Sequence, residues 1–188
     1  QKPAEEGRYQ SDLQGVGTAA AIMRMAKAPD GTIHAILQGV SRIRLLSLEQ
    51  EEPWLRARVE PLNETAEKNL ELEALSRNAL SLFEKIVEMA ENIPNELALA
   101  AANIPEAGAL ADFIAANLIN AKPGERQSIL EAGDVNQRLR LLIDLLTRES
   151  EVLEVESKIR AEVTGEMDKR QREYFLREQL KAIQKELG

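Results

Sequence analysis

The sequence contains no cysteine, and aromatic residues make up only 3% of its 188 positions. Without cysteine the chain can form neither a disulfide framework nor a thiolate metal site, and this composition fits a reducing compartment. Because aromatic side chains are scarce, the core must be built from aliphatic residues. Hydrophobic residues make up 44% and charged residues 30% of the chain, which predicts one large folded domain or two small ones.

Long apolar runs and an excess of positive charge are missing as well. No segment approaches the roughly eighteen apolar residues that a membrane span needs, and the opening residues QKPAEEGRYQSD lack the apolar core of a signal peptide. A formal net charge of -8 repels phosphate backbones, which argues against nucleic acid as a partner. These features predict a soluble, cytoplasmic protein without membrane contact.

Motifs for catalysis are also missing. The single histidine, His34, has no partner for a HExxH zinc site or a Ser-His pair. There is no GxxxxGK[ST] motif, and Gly15-Val16-Gly17 precedes a predicted strand, whereas a nucleotide fingerprint follows one. We therefore predict no catalytic residue, no cofactor-binding residue and no metal site, and expect this chain to bind without catalysing a reaction.

Residues 16–61 have the patterns of β-structure. VGTAAAIMRMAKA and TIHAILQGV flank Pro29-Asp30-Gly31, which predicts a hairpin. SRIRLLSLEQ and WLRARVEPL predict two further strands. In the last of these, Leu55, Ala57 and Val59 alternate with polar or aromatic residues, which predicts a sheet with one buried face.

From Glu64 the apolar period becomes helical. Asn63 is a candidate N-cap, with Glu64 and Glu67 in the first turn, and the helix is expected to end at Ile93-Pro94. Its predicted apolar stripe is Leu72, Leu75, Ala79, Leu82, Ile86 and Met89. Three shorter helices are predicted at 94–102, 106–118 and from 123 to 132.

The last predicted helix begins after Asp134, with Gln137 in a capping-box-like position. If it continued past Gly165 to Leu187, it would be about 80 Å long at about 1.5 Å per residue. Acid-first i,i+4 pairs support its exposed part: Glu154–Lys158, Glu156–Arg160, Glu166–Arg170 and Glu173–Arg177. Its middle is poor in apolar residues and its far end is apolar, which predicts a partner.

Two groups of side chains are candidate binding surfaces. Methionine and aromatic side chains adapt to irregular apolar partners, so we predict contacts with unfolded proteins at Ile22, Met23, Met25, Ile36 and Trp54. Strand alternation places Ile22 and Ile36 on the face opposite Met23, Met25 and Leu37. The alternative is that these side chains form a core.

Arginines alternate along two neighbouring strands at Arg42, Arg44, Arg56 and Arg58, and Arg24 is close enough in sequence to join them. They are a candidate basic patch for an anionic peptide or nucleic acid. The alternative is an ordinary solvated sheet face.

The segment QREYFLREQLKAIQKELG at 171–188 closely resembles Q-[RK]-E-Y-[YF]-L-R-E-Q-[ML]-K-A-I-Q-K-E-L-G, a segment of the Lon family of ATP-dependent AAA+ serine proteases. Further resemblances to the family's N-terminal region lie in VGTAAAIMRMAKAPDGTIHAILQGVSRIRL, PEAGALADFIAANL and KPGERQSILEAGDVNQRLRLLIDLL. The resemblance therefore extends from about Gly15 to Gly188.

The resemblance implies an α+β chain: a partial, PUA-like β subdomain at 1–62, a helical bundle at 63–149, and a long helix at 150–188 that leads toward an AAA+ module. It implies a parent protease with a Ser-Lys dyad that uses ATP and magnesium, while this chain holds no cofactor. The expected partners are unfolded or damaged proteins and the other subunits of a hexamer. Candidate assembly contacts are Tyr174, Phe175, Leu176, Leu180, Ile183 and Leu187. The alternative function is a structural spacer without affinity for substrates.

Overall fold

The structure is a computed structural model that describes residues 13–64, 69–90 and 92–187. Three strands come first: β1 (Val16–Lys27), β2 (Ile33–Gln50) and β3 (Arg56–Pro61). Five helices follow: α1 (Leu70–Met89), α2 (Glu96–Ala102), α3 (Ala107–Asn117), α4 (Pro123–Glu131) and α5 (Val135–Leu187). The strands form one antiparallel sheet in the order β1-β2-β3. The predicted α+β class, with the sheet before the helices, is confirmed.

The hairpin turn forms where the sequence predicts it. Gly31 has a φ of 89°, a conformation that favours glycine, and the Thr32 amide donates a 2.9 Å hydrogen bond to Asp30 Oδ1. The prediction of separate strands at 32–40 and 41–50 is wrong, because β2 is a single strand of 18 residues. Val40 is an extra residue between two registered pairs, so a bulge interrupts the alternation there without ending the strand.

The buried face predicted for β3 is absent in this structure. Leu55 and Val59 are 42% and 44% exposed. The helices pack mainly on one another, and α4 meets the sheet near the start of β1. Consequently no element within the described ranges covers β3.

The core lies between the helices. Its centre is aliphatic apart from Phe83, and α1 packs along the first part of α5. Fully buried members include Phe83, Ile86, Ile114, Leu139, Leu142 and Leu146. The predicted α1 stripe is buried at Leu72, Ala79 and Ile86, as expected for a helix with one face on the core.

The N-terminus of α1 differs from the prediction. The cap is Asn69, whose Oδ1 accepts a 2.8 Å hydrogen bond from the Leu72 amide, so Asn63 is not the cap. Glu64 lies outside the helix, and Glu67 lies outside the described residues. The two asparagines carry the same capping signal, each followed by acidic residues, and the sequence alone did not separate them.

Helix α5 is continuous over 53 residues and passes through Gly165. Its start is as predicted, since the Gln137 amide donates a 2.8 Å hydrogen bond to Asp134 Oδ1. Side chains from Val155 to Glu186 are exposed, so α5 leaves the core and projects for about 50 Å at about 1.5 Å per residue. None of the described helices is both long enough and apolar enough to cross a lipid bilayer.

Candidate protein-binding surfaces

The outer part of the hairpin is a two-stranded ribbon, which we define as Ala20–Lys27 and Ile33–Gly39. Strand β3 pairs with β2 only from Ile43 to Gln50, so no third strand supports the ribbon within the described residues. Every side chain of the ribbon is exposed. Within the described ranges, both its faces and the outer edge of β1 are therefore open to contacts.

The predicted contacts for unfolded proteins are exposed in this structure. Ile22, Met23, Met25, Ile36 and Trp54 are 59 to 66% exposed, so they do not form a core here. Trp54, however, lies in the β2–β3 connection, at the end of β2 opposite the hairpin turn. The structure therefore brings four of the five side chains together on the ribbon and leaves Trp54 apart.

The sheet register corrects which of these residues share a face. Ile22 pairs with Leu37, Met25 with Ala35 and Arg24 with Ile36, while Met23 has no registered partner. Because directly paired residues point to the same side of a sheet, we define the apolar face as Ile22, Met25, Ile33 and Leu37. The prediction that Ile22 shares a face with Ile36 is wrong, since the bulge at Met23 shifts the alternation by one residue.

Three of the four arginines in the candidate basic patch pair with carboxylates. Arg42 is 7% exposed and is ion-paired with Glu64 and Asp112. Arg44 pairs with Glu60 at 3.2 Å, and Arg58 pairs with Glu49 at 2.8 Å. Each guanidinium that pairs with a carboxylate loses much of its attraction for an external anion. Arg24 lies on the ribbon, away from them.

Arg42 belongs to a charge cluster that joins the sheet to the helices. Besides Arg42 of β2, the cluster contains Glu64 before α1, Asp112 of α3 and Arg138 of α5. Arg138 is fully buried, with its Nη1 2.8 Å from Glu64 Oε1 and 3.7 Å from Asp112 Oδ1. Its Nε and Nη2 donate to the Ala132 carbonyl at 3.1 and 2.8 Å. A buried guanidinium held in this way fixes the position of the carboxylates around it.

The pKa values of the two carboxylates in the cluster are shifted in opposite directions. Burial alone would raise the pKa of Glu64, but hydrogen bonds and charges from Arg138 and Arg42 outweigh it and lower the pKa. Burial raises the pKa of Asp112, which the charges of Arg42 and Arg138 offset only in part. Burial opposes ionisation more strongly at Asp112 than at Glu64, and Glu64 accepts hydrogen bonds from both arginines whereas Asp112 accepts one from Arg42.

Sequence reasoning missed three members of this cluster, although two had a signal. Arg138 lies one residue before Leu139 on the buried stripe of α5, where a charge requires a buried partner. Asp112 is the one charged residue within α3. Glu64 was assigned to a helix cap.

A second exposed surface lies along the projecting part of α5. Leu176, Leu180 and Ile183 are 53 to 56% exposed and share one side of the helix at spacings of four and three. Tyr174 and Phe175 are also exposed, but Tyr174 is two residues before Leu176 and lies on the other side. The side chain of Leu187 is not among those that the structure describes. A nearer stripe that sequence reasoning did not single out is Val152, Val155, Ile159, Val163 and Met167.

The charged pairs predicted along α5 are partly observed. Glu166 and Arg170 approach to 3.7 Å, whereas Glu154 is 2.6 Å from Lys85 of α1. The latter ion pair joins the start of the projection to the bundle. No group of three or more potential metal-ligating side chains occurs in the part of the chain that the structure describes.

Comparison with known proteins identifies related sequences and folds. Residues 1–148 match the family model of the ATP-dependent protease La (LON) substrate-binding domain. The chain is 45% identical, over all of its 188 residues, to the Lon protease of Dictyoglomus thermophilum, of which it covers 24%. It is also 45% identical over 179 residues to the Lon protease of Syntrophomonas wolfei, which is 95% of this chain and 22% of that protein.

A solved structure, the N terminal domain of Mycobacterium avium complex Lon protease, has a similar fold. The TM-score is 0.63 at 23% identity, over 77% of this chain and 74% of that one. At this identity the likeness concerns the fold alone. The chain spans about a quarter of the length of the curated relatives it matches.

Proposed function

The chain belongs to the family of Lon protease substrate-binding domains, and on that premise we propose that it captures unfolded or damaged proteins through the ribbon. We further propose that the captured protein passes to a cytoplasmic, ATP- and magnesium-dependent AAA+ serine protease with a Ser-Lys dyad, assembled as a hexamer. The chain itself contributes binding and no catalytic residue.

The observation that carries this proposal is the exposed apolar face of the ribbon. Ile22, Met25, Ile33 and Leu37 are each 59 to 64% exposed on one side of two strands. Clustered apolar side chains on a protein surface mark interaction sites, whereas scattered ones do not. Folded proteins bury such side chains and unfolded ones expose them, so this face favours the unfolded form of a partner.

The ribbon also offers backbone hydrogen bonds. Among the described strands β1 lies at an edge of the sheet, and an edge strand presents unpaired amide and carbonyl groups to an extended segment. Because these bonds involve only backbone, they are independent of the partner's sequence. Apolar contacts and edge pairing together suit a site for many different unfolded proteins.

The charge of the ribbon is compatible with this role. Within its two segments the charged side chains are Arg24 and Lys27, and there is no aspartate or glutamate. The whole chain carries a net charge of -8. The ribbon therefore attracts acidic segments of a partner, which the acidic chain as a whole repels. This attraction acts over distances up to about 10 Å at ordinary ionic strength.

Charge substitutions on the ribbon test the proposal. We expect Met25→Asp to weaken binding of a reduced and carboxymethylated, permanently unfolded protein about tenfold or more, because burying a methionine contributes about 1.5–3 kcal/mol. Ile36→Asp, on the other face, should weaken it less. Fluorescence anisotropy of the labelled protein measures both dissociation constants.

Leu99→Asp is the matched control for these variants. Leu99 is 68% exposed on α2, so it tests whether any new surface charge weakens binding. All three variants should unfold at the same temperature as the original chain, because none of the residues is buried. Equal losses for Met25→Asp and Leu99→Asp would contradict a site on the ribbon.

A second function, spacing and assembly without substrate affinity, is favoured by one observation. The projecting part of α5 exposes Leu176, Leu180 and Ile183 along one side, and an exposed stripe of this kind suits a second helix. This function predicts self-association without any preference for unfolded proteins. Assembly through α5 is itself compatible with capture by the ribbon, since the two use different surfaces, whereas a lack of substrate affinity would exclude capture.

A further inference from the structure

The projecting part of α5 follows a seven-residue repeat from end to end. Positions that alternate at spacings of three and four, which we define as the seam, are Val152, Val155, Ile159, Glu162, Glu166, Lys169, Glu173, Leu176, Leu180 and Ile183. The seam is apolar at both ends and charged in the middle. A strict repeat sustained over more than four heptads is typical of a helix that coils around another helix.

The seam faces away from the helical bundle. Leu153 packs against the core, and Glu154 is ion-paired with Lys85 of α1. At about 100° per residue, both side chains lie on the side of α5 opposite the seam. The apolar seam residues, from Val152 to Ile183, are 52 to 56% exposed. A second helix therefore fits along the seam without displacing the bundle.

The charges along this part of α5 indicate the direction of such a partner. Residues 151–168 contain six carboxylates and two cations, whereas residues 169–186 contain six cations and three carboxylates. A second copy in the parallel direction would place like-charged halves side by side. In the antiparallel direction, the acidic half of each helix lies beside the basic half of the other, which is the favourable arrangement.

The seam itself fits an antiparallel pair. With a two-fold axis between residues 167 and 168, three kinds of apolar layer form at the ends: Val152 faces Ile183 of the second copy, Val155 faces Leu180, and Ile159 faces Leu176. Each apolar residue of the seam thus meets an apolar residue. The two ends of the seam complete each other across the pair.

The central layers separate the two directions more sharply. In the antiparallel pair Glu166 faces Lys169 in two layers, and like charges meet only where Glu162 faces Glu173. In a parallel pair each of these four residues would face its own copy, so all four layers would bring like charges together. Opposed like charges destabilise a coiled coil and thereby determine its direction.

We propose that α5 pairs with α5 of a second copy of this chain as an antiparallel two-stranded coiled coil. The proposal rests on the assembly function described above, because it names the partner and the direction of that surface. The apolar layers hold the two helices together, and the central charges determine their direction. Because the rotation between neighbours in a six-membered ring is too small to reverse a helix, such a pair would join chains of two different rings.

A charge exchange in the central layers tests the direction. We expect Glu166→Lys to weaken self-association about tenfold, because it places two lysines in each of two layers. Adding Lys169→Glu should restore the affinity. In a parallel pair neither change would matter, since each residue would still face a like charge. Asp168→Lys, outside the seam, changes the net charge equally and should have a smaller effect. Sedimentation equilibrium measures the dissociation constants.

Distances between spin labels test the direction independently. Because the chain has no cysteine, Thr164→Cys and Glu178→Cys each provide a single labelling position, and both face away from the seam. In the antiparallel pair the two copies of residue 164 lie about 10 Å apart along the axis, and those of residue 178 about 30 Å apart, at about 1.5 Å per residue. A parallel pair gives both positions the same separation. Pulsed electron paramagnetic resonance measures these distances.

The outcomes distinguish this proposal from the functions on which it depends. We predict a longer distance for Glu178→Cys than for Thr164→Cys, together with restored affinity in the double charge variant. Equal distances at the two positions would overturn the antiparallel pair and leave the assembly function standing. If no distance between copies were found at any concentration, both would fall. Binding of unfolded proteins that depends on Met25 would support the ribbon in either case.

Discussion

At the scale of single residues, the contact between sheet and helices depends on a few charged side chains. Arg138 is fully buried and shares Glu64 with Arg42, so removal of the Glu64 carboxylate leaves two buried cations with one fewer partner. Breaking a buried ion pair costs more than its formation contributes, because the remaining charge stays desolvated. The cluster therefore fixes the position of the sheet relative to the helices.

Gly108 makes this cluster possible. A methyl group at this position of α3 would clash with the Glu64 carboxylate and lie 3.2 Å from Arg138 Nη1. We expect Gly108→Ala to displace Glu64 and to lower the free energy of unfolding by about 1–3 kcal/mol, despite the higher helix propensity of alanine. Urea unfolding followed by circular dichroism measures the change. Gly124→Ala is the control, since nothing lies within 4 Å of a methyl group there.

The pH dependence of the stability lost in Gly108→Ala identifies the cause of that loss. The pKa of Glu64 is lowered in the folded chain, so its contribution is present above the unfolded pKa of about 4.5 and is lost as the pH falls through the lower, folded value. The difference in stability between Gly108→Ala and the original chain should therefore shrink below about pH 4.5. A loss of equal size at pH 7 and pH 3 would show that Glu64 is not involved.

At the scale of elements, the sequence predicted most of what local patterns control. The turn at Asp30-Gly31, the start of α5 at Asp134 and the buried stripe of α1 all follow from residues close together in the chain. The predictions were wrong where contacts between residues distant in sequence determine the structure. The bulge at Met23 is defined by pairing with β2, and the role of Glu64 is defined by Arg138, 74 residues away.

The candidate binding surfaces show the same contrast between local patterns, which the sequence predicts, and distant contacts, which it does not. Exposed apolar residues could be selected from strand patterns, but their grouping depended on the register, which separates Ile36 from Met25 and leaves Trp54 at the far end of β2. The charge cluster could not be predicted as a whole, because its members come from β2, the segment before α1, α3 and α5. No local period encodes such a meeting of segments.

Helix α5 combines a packed part with an unsupported part. Its residues up to about Leu153 contact the core, and the described residues beyond are exposed. We expect Gly165→Pro to lower the helical ellipticity of the chain, because proline breaks a helix interior. The urea midpoint of the bundle should not change, since the core residues precede Gly165.

Gly165→Ala is the matched control for this variant. A methyl group at Gly165 meets nothing within 4 Å, and alanine favours the helix by about 0.5–1 kcal/mol. Ellipticity should therefore rise slightly. A shifted bundle midpoint in Gly165→Pro would indicate that the projection is coupled to the core.

At the scale of the whole molecule, two exposed apolar surfaces lie on different elements. The ribbon projects from the sheet, and the apolar side of α5 lies beyond the bundle. A domain that both captures unfolded chains and assembles with other subunits requires two such surfaces, because one occupied by a neighbouring subunit cannot also bind substrate. The structure thus separates the two proposed tasks.

The far end of α5 predicts self-association at high concentration. We expect sedimentation velocity to show species larger than the monomer, and Leu176→Glu combined with Leu180→Glu to remove them, because both side chains lie on the same side of the helix. Tyr174→Glu, on the other side, should change the distribution less. A strictly monomeric chain at all concentrations would contradict the assembly surface.

The central claim is that the ribbon captures unfolded proteins through apolar contacts. The most direct measurement compares binding of one labelled protein in its native form and in its reduced, carboxymethylated form, at low and high salt. We predict selective binding of the unfolded form that persists at high salt, because apolar contacts are not screened by ions. Equal binding of both forms, or binding that disappears at high salt, would contradict the account.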